Sequence, residues 1–141
     1  MSVTLLRGGN VLDAAAGCLL ERHDVVIEGD RITAVSATPL DIDGATVIDV
    51  TGKTVMPGMI DCHVHVLASH PNLGTNASQP NVLTVLRSLP IMQGMLNRGF
   101  TTVRDVGGPS FALKRAIDEG RIAGPRIYPS GAMISQTSGH G

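Results

Sequence analysis

Short apolar runs, separated by turn residues, fill the first part of the chain. Residues 3–6 precede a Gly-Gly-Asn turn at 8–10, and residues 24–28 precede a Gly-Asp pair at 29–30. β-Branched residues in runs of this length, bounded by glycine and aspartate, are typical of strands joined by tight reversals. The pattern predicts a small antiparallel β domain over residues 1–56.

After Pro57-Gly58 the apolar positions indicate strands that alternate with helices. In order, the predicted elements are a strand through 61–66, a helix at 80–98, a strand at 100–103, a helix at 109–119 and a strand beginning at 126. We expect Pro90 to kink or split the first helix and Gly99 to cap its C-terminus. Such alternation is typical of a parallel sheet covered by helices, either doubly wound or closed into a barrel. The chain is therefore predicted to be α/β, with a second domain over residues 57–141.

Composition narrows the class of protein. The 141 residues are 43% hydrophobic, and 11 Lys and Arg against 12 Asp and Glu leave a net charge of -1. Without a basic patch, nucleic acid is not an expected partner. No apolar run approaches the ~18 residues that span a bilayer, so no membrane association and a cytoplasmic location are expected. Cys18 and Cys62 lie far apart, which favours two reduced, buried thiols over a disulfide framework.

His63 and His65 carry the candidate chemistry. Because side chains alternate along a strand, Asp61, His63 and His65 are expected on one face and Cys62 and Val64 on the other. Two neighbouring imidazoles can share one zinc ion, and Asp61 is a candidate acceptor for a ring N–H. An H-x-H pattern also arises by chance on half-exposed strands, which leaves a purely structural pair open. The apolar run that leads into the histidines favours a metal site, because burying imidazoles without a partner is costly.

The surrounding residues resemble a known superfamily. Thr-Gly-Lys-Thr-Val-Met-Pro-Gly-Met-Ile-Asp-Cys-His-Val-His at 51–65 resembles the signature of the amidohydrolase superfamily around its H-x-H metal site. Residues 31–35 and 47–50 resemble its small β domain, and residues 99–108 resemble its second barrel strand. Gly-Pro-Arg at 124–126 and the segment 135–140 are most similar to the imidazolonepropionase-like and prolidase-like branch. That branch includes Xaa-Arg and Xaa-Lys carboxypeptidases and ochratoxin-type amide hydrolases.

The resemblance implies a β-sandwich-type N-terminal domain followed by the first strands and helices of a metal-dependent (β/α)8 barrel. It implies one or two zinc ions, with other divalent metals also compatible, and a zinc-activated hydroxide that hydrolyses amide or peptide C–N bonds. His63 and His65 correspond to metal ligands, and the partners implied are a small-molecule or dipeptide-like amide substrate and further copies in a homo-oligomer. The remaining ligands and the catalytic base have no counterpart among these residues. A barrel of this type needs roughly 250 residues, so we expect a truncated barrel that is inactive alone.

For several other residues the sequence favours a role in the site less strongly. By resemblance, His140 is a candidate contact to the substrate carbonyl or to the oxyanion, although an exposed loop histidine is equally compatible with the sequence. His70 is expected to be a solvated loop residue. Arg104 and Asp105 are expected to form a structural ion pair beside the loop 106–108. Met92 is expected to pack in the core.

Two alternatives to the amide or peptide hydrolase stay open. The first is a deaminase or cyclic-amide hydrolase of the same superfamily. The second is a noncatalytic member that keeps the fold as a scaffold, which the two histidines disfavour because a scaffold has no use for paired imidazoles.

Overall fold

The computed structural model describes residues 2–138 and divides the chain into two compact units, Met1–Pro57 and Gly58–Gly141. The first unit contains β1 (Val3–Asp13), β2 (Cys18–Glu28), β3 (Arg31–Ser36), β4 (Thr46–Asp49) and β5 (Thr54–Val55). The second contains β6 (Met59–Val64), α1 (Leu73–Ala77), α2 (Asn81–Asn97), β7 (Phe100–Asp105), α3 (Phe111–Asp118) and β8 (Arg126–Pro129). None of the described helices is long and apolar enough to cross a membrane.

The strands of the first unit form one five-stranded sheet, with Leu5, Val25 and Val26 buried in it. β1, β2 and β3 are antiparallel neighbours, whereas β4 and β5 both run parallel to β1. The prediction of a purely antiparallel domain is therefore wrong: the sheet is mixed. The described strands of this unit form a single sheet, so the second sheet of the expected sandwich-type domain is not seen among residues 2–57.

A buried aspartate explains how the parallel strand arises. The segment 37–45 carries the chain from β3 to the far side of β1. The two carboxylate oxygens of Asp24, which is only 3% exposed, accept hydrogen bonds from the backbone N–H groups of Gly8 and Leu40, at 2.8 and 2.9 Å. This carboxylate ties the connection to β1. The long connection lets β4 enter the sheet in the same direction as β1, which a tight hairpin would prevent.

The second unit follows the predicted alternation of strands and helices. β6, β7 and β8 form a parallel sheet in that order. The helix predicted at 80–98 spans Asn81–Asn97 and continues through Pro90, so it is not split there, and the alternative of a kink stays a prediction. The burial of Met92, two residues after Pro90, stabilises the helix by tertiary packing. Gly99 adopts φ +88° and donates its N–H to the Leu96 carbonyl, which confirms its capping role.

One face of the parallel sheet is covered by the helices. The buried cluster on this face is Val66, Met92, Val103, Leu113 and Ile127. Side chains that point away from this cluster, such as those of Arg104 and Tyr128, are exposed. The sheet therefore has a packed face toward α2 and α3 and an open face among the described residues.

Candidate metal centre

The two candidate ligands lie at the carboxyl end of β6. His63 is the penultimate residue of the strand, His65 follows its last residue, and both side chains are exposed. Their ring centroids are 5.5 Å apart, with the ring planes at 78° to each other. The structure therefore brings the two imidazoles edge to face at one edge of the parallel sheet.

The backbone of β6 is irregular where it carries the histidines. Asp61 lies opposite Val103 and Val64 opposite Asp105, so three residue steps on β6 face two on β7. This is a β-bulge, which bends a strand and redirects its side chains. Val103 and Asp105 are both fully buried, and paired residues of neighbouring strands share a face. The expected strict alternation from Asp61 to His65 therefore fails within the bulge.

The peptide between Cys62 and His63 is held by two side chains. The Asp61 carboxylate accepts a hydrogen bond from the backbone N–H of His63 at 3.0 Å. On the other side, Nε of Arg104 donates to the Cys62 carbonyl oxygen at 2.7 Å. Asp61 was expected to accept from a histidine ring, but in this structure its hydrogen bond is to the backbone. Local chain geometry explains this, because an aspartate readily accepts from the N–H two residues later.

The ring of His65 lies against the loop that follows β7. A Cβ placed on Gly107 would lie 3.3 Å from Cε1 of His65 and 3.1 Å from Sδ of Met133. Glycine at 107 therefore permits the close approach of the ring to this loop. Backbone hydrogen bonds hold the same edge together: Val106 N–H donates to the Val64 carbonyl at 3.0 Å, and Ser130 N–H donates to the Asp105 carbonyl at 2.8 Å.

Arg104 and Asp105 form no ion pair with each other within residues 2–138. The expectation of an ion pair is wrong because adjacent residues on a strand point to opposite faces. Arg104 is exposed, whereas Asp105 is fully buried. Oδ1 of Asp105 accepts a long hydrogen bond of 3.4 Å from Gly107 N–H, and Oδ2 has no partner among the described residues. The hydroxyl of Ser110, at the start of α3, is also buried without a described partner. Sequence reasoning predicted the burial of neither Asp105 nor Ser110.

Among the described residues, none of the other candidates joins His63 and His65 in a group of three possible metal ligands. Nδ1 of His70 accepts from Asn72 N–H at 3.0 Å, which gives this half-buried histidine a role in the turn before α1. His140 lies outside the described residues. Cys18 and Cys62 are exposed free thiols, so their expected burial is wrong. A shallow cavity of about 500 Å³ lies beside the amino ends of β7 and β8 and contains none of the candidates. It is lined by Thr101, Thr102, Ile117, Asp118, Gly124 and Arg126.

The donor set fits part of a zinc site. Zinc binds imidazole nitrogen at about 2.0 to 2.1 Å, and two adjacent rings are a common part of its coordination. Within residues 2–138, no group of three or more His, Cys, Asp or Glu side chains could hold a metal ion. His63 and His65 are therefore two donors of a site that needs further ligands.

Comparison with known proteins assigns the chain to a family. The model of the amidohydrolase family matches residues 54–141, which is more than half of the chain. The chain belongs to the amidohydrolase family. In this amidohydrolase, the matched segment includes the whole parallel sheet and both histidines. The resemblance inferred from the sequence is confirmed.

Several relatives of this amidohydrolase are hydrolases. A prolidase solved in complex with N-methylphosphonate-L-proline is 60% identical, with a TM-score of 0.88, over 99% of this chain and 34% of its own. Ochratoxinase of Aspergillus niger is 29% identical over 127 residues, 85% of this chain and 26% of its own. Its crystal structure has a TM-score of 0.81. A dihydroorotase of Pelotomaculum thermopropionicum is 39% identical over 143 positions, 96% of this chain and 30% of its own. The chain thus spans about a third of these relatives or less.

Proposed function

We propose that the protein is a metal-dependent hydrolase of amide or peptide C–N bonds and that His63 and His65 bind zinc in it. The observation that carries the proposal is the pair of exposed imidazoles, with centroids 5.5 Å apart, at the carboxyl end of a parallel strand. In (β/α)8 barrels the catalytic residues lie at this end of the strands. We propose that β6, β7 and β8 are the first three strands of such a barrel.

Bound zinc would lower the pKa of a coordinated water and polarise the scissile carbonyl. The described residues would contribute two imidazole nitrogens, presented by a strand that is packed against helices on its other face. We assign neither the remaining ligands nor the catalytic base to the described residues. We therefore expect residues 1–141 alone to lack hydrolase activity.

The substrate class rests on the relatives. The prolidase was solved with a proline derivative, and ochratoxinase is named for ochratoxin. We propose a small-molecule or dipeptide-like amide as substrate for this protein. The similarity to a dihydroorotase supports the second candidate, a cyclic-amide hydrolase or deaminase of the same family. By resemblance, His140 is proposed to contact the substrate carbonyl or the oxyanion.

Metal content tests the metal centre directly. Elemental analysis is made on the purified protein and on His63→Ala/His65→Ala, after incubation with zinc and removal of free ions. The matched control, His23→Ala/His70→Ala, removes the same number of imidazoles from positions outside the pair. Zinc bound to the protein and to the control, but lost in His63→Ala/His65→Ala, supports the proposal. Equal zinc in all three would refute the assignment of the two ligands.

Activity distinguishes the candidate functions. The protein at its natural length is assayed with dipeptides that end in proline, with N-acyl aromatic amino acids and with dihydroorotate. Hydrolysis of the linear amides supports the leading proposal, and hydrolysis of dihydroorotate alone supports the second. If adenine, added to the panel as a deamination substrate, and all of the amides remain unchanged while zinc is bound, a noncatalytic scaffold is supported.

Cytoplasmic location and homo-oligomer formation belong to the same proposal. Neither rests on a contact in the structure. Light scattering on the purified protein tests the second, and a monomeric mass across the working concentration range would contradict it.

A further inference from the structure

Two side chains hold the peptide unit between Cys62 and His63 from opposite ends. Its carbonyl oxygen accepts from Nε of Arg104 at 2.7 Å, and its N–H donates to Oδ1 of Asp61 at 3.0 Å. Both polar groups of one peptide plane are thus bonded to side chains. This plane determines ψ of Cys62 and φ of His63, and so the direction of the His63 side chain.

The β-bulge explains why the peptide needs these partners. Residues 61–64 of β6 face only residues 103–105 of β7, so the regular ladder is interrupted between Asp61 and Val64. Backbone groups in a bulge lose ladder partners and must be satisfied elsewhere. Without the two side chains, the peptide could rotate toward solvent, because Cys62 and His63 are both exposed.

The two hydrogen bonds differ in what they contribute. The bond from Asp61 is local and closes a turn within β6. The bond from Arg104 spans 42 residues and joins β6 to β7. A guanidinium is always charged and donates in a rigid plane, so its bond to a carbonyl is strong and directional. Arg104 is therefore the side chain that fixes the bulge relative to the neighbouring strand.

We propose that Arg104 and Asp61 are positioning residues, which hold the Cys62–His63 peptide so that the His63 ring faces His65. This inference rests on the proposed zinc site for its functional meaning, although the hold on the peptide does not require a metal. Neither residue is assigned a contact to the metal or the substrate.

Arg104→Met tests the proposal because it keeps most of the side-chain length and removes every donor. Arg104→Lys is the conservative variant, which retains a charged donor on a flexible stem. Arg126→Met is the matched control, since Arg126 is also exposed and lies on β8. All variants are made in the protein at its natural length.

The first readout needs no metal. Hydrogen exchange and NMR are recorded on metal-free protein, following the His63 amide and the Cε1–Hε1 signals of His63 and His65. We expect Arg104→Met to speed exchange of the His63 amide at least about tenfold and to shift the His63 ring signal, with partial recovery in Arg104→Lys. The control should match the wild type, and the melting temperature shows whether each variant is folded. An unchanged amide rate and ring signal in folded Arg104→Met would overturn the proposal.

The second readout is the zinc dissociation constant, measured by competition with a chromophoric chelator. Loss of a residue that supports a metal ligand typically weakens binding by roughly 10- to 100-fold, and we expect a loss in that range for Arg104→Met. An unchanged constant would overturn the functional part of the proposal. If the wild type binds no zinc while the exchange result holds, the zinc site fails and the positioning of the peptide stands.

Discussion

Replacing Gly58 by alanine tests the packing at the start of β6. A Cβ at this position would lie 2.0 Å from Oγ1, 2.3 Å from Cγ2 and 2.7 Å from Cβ of Thr101. Real Cβ atoms essentially never show contacts under 3.0 Å. Rotation of the threonine would move Oγ1 and Cγ2, but its Cβ is fixed to the backbone of β7. The strands must therefore separate to accommodate the added methyl group.

Two opposing effects decide the size of the change. Forcing an extra carbon into a packed position costs about 1–3 kcal/mol. Glycine to alanine lowers the entropy of the unfolded chain, which stabilises the protein by about 0.4–1 kcal/mol where the backbone accepts alanine. Since three contacts are too short, the steric effect should dominate. We expect Gly58→Ala to lower the free energy of unfolding by about 1–2 kcal/mol.

Chemical denaturation followed by circular dichroism measures this change, with Thr101→Ala and the double variant completing a cycle. Thr101→Ala removes the two shortest contacts, so Gly58→Ala should cost less in its background, with a coupling energy of about 1 kcal/mol. Gly94→Ala is the matched control. Gly94 lies within α2, and the three atoms nearest to an added Cβ belong to the flexible guanidinium of Arg98, the residue that follows the helix. Alanine is also the better helix former, so this variant should be neutral or stabilising.

The reasoning would be refuted by additivity. If the double variant loses as much stability as Gly58→Ala and Thr101→Ala lose in sum, the two residues do not contact each other as described. An unchanged stability in Gly58→Ala would lead to the same conclusion, because the methyl group would then have room.

Three further predictions concern a buried aspartate, a surface glutamate and the proposed metal. Asp24→Ala leaves the N–H groups of Gly8 and Leu40 without their acceptor, so the free energy of unfolding, measured with urea, should fall by about 2–4 kcal/mol. An unchanged free energy of unfolding would contradict a structural role for these two hydrogen bonds. Hydrogen bonds from Arg121 and, to a lesser extent, Arg115 hold the pKa of Glu119 below its ordinary value of 4.5. The stabilisation from these bonds is therefore present above that pH and is lost as pH falls through the lowered pKa. An NMR titration of Glu119 should show this, and Arg121→Gln should raise the pKa. Chelation of the zinc-loaded protein at its natural length should abolish amide hydrolysis, with added zinc restoring it.

Local patterns predicted the second unit well because each signal there acts over a few residues. The apolar spacing within 80–98 located α2, and the glycine at 99 located its end. The H-x-H pattern identified two rings that the structure places side by side. Each of these features depends on residues within about four positions of one another, where sequence patterns are informative.

The features that sequence reasoning missed depend on residues far apart in the chain. Asp24 binds Leu40 across the sheet, and this contact accompanies the parallel entry of β4. Arg104 reaches Cys62 from another strand. Periodicity carries no information on such pairings, so the first sheet was predicted as antiparallel and Arg104 was assigned to the wrong partner.

The bulge in β6 shows why alternation alone could not describe the site. In a regular strand, residues 61, 63 and 65 would share one face, and residues 62 and 64 would share the other. The register instead inserts one extra residue between Asp61 and Val64, while Val64 still packs toward the core. An aspartate two positions before the first histidine and an arginine on the next strand satisfy the displaced peptide. The geometry of the two rings therefore depends on the polar side chains around the H-x-H pattern as well as on the strand that contains it.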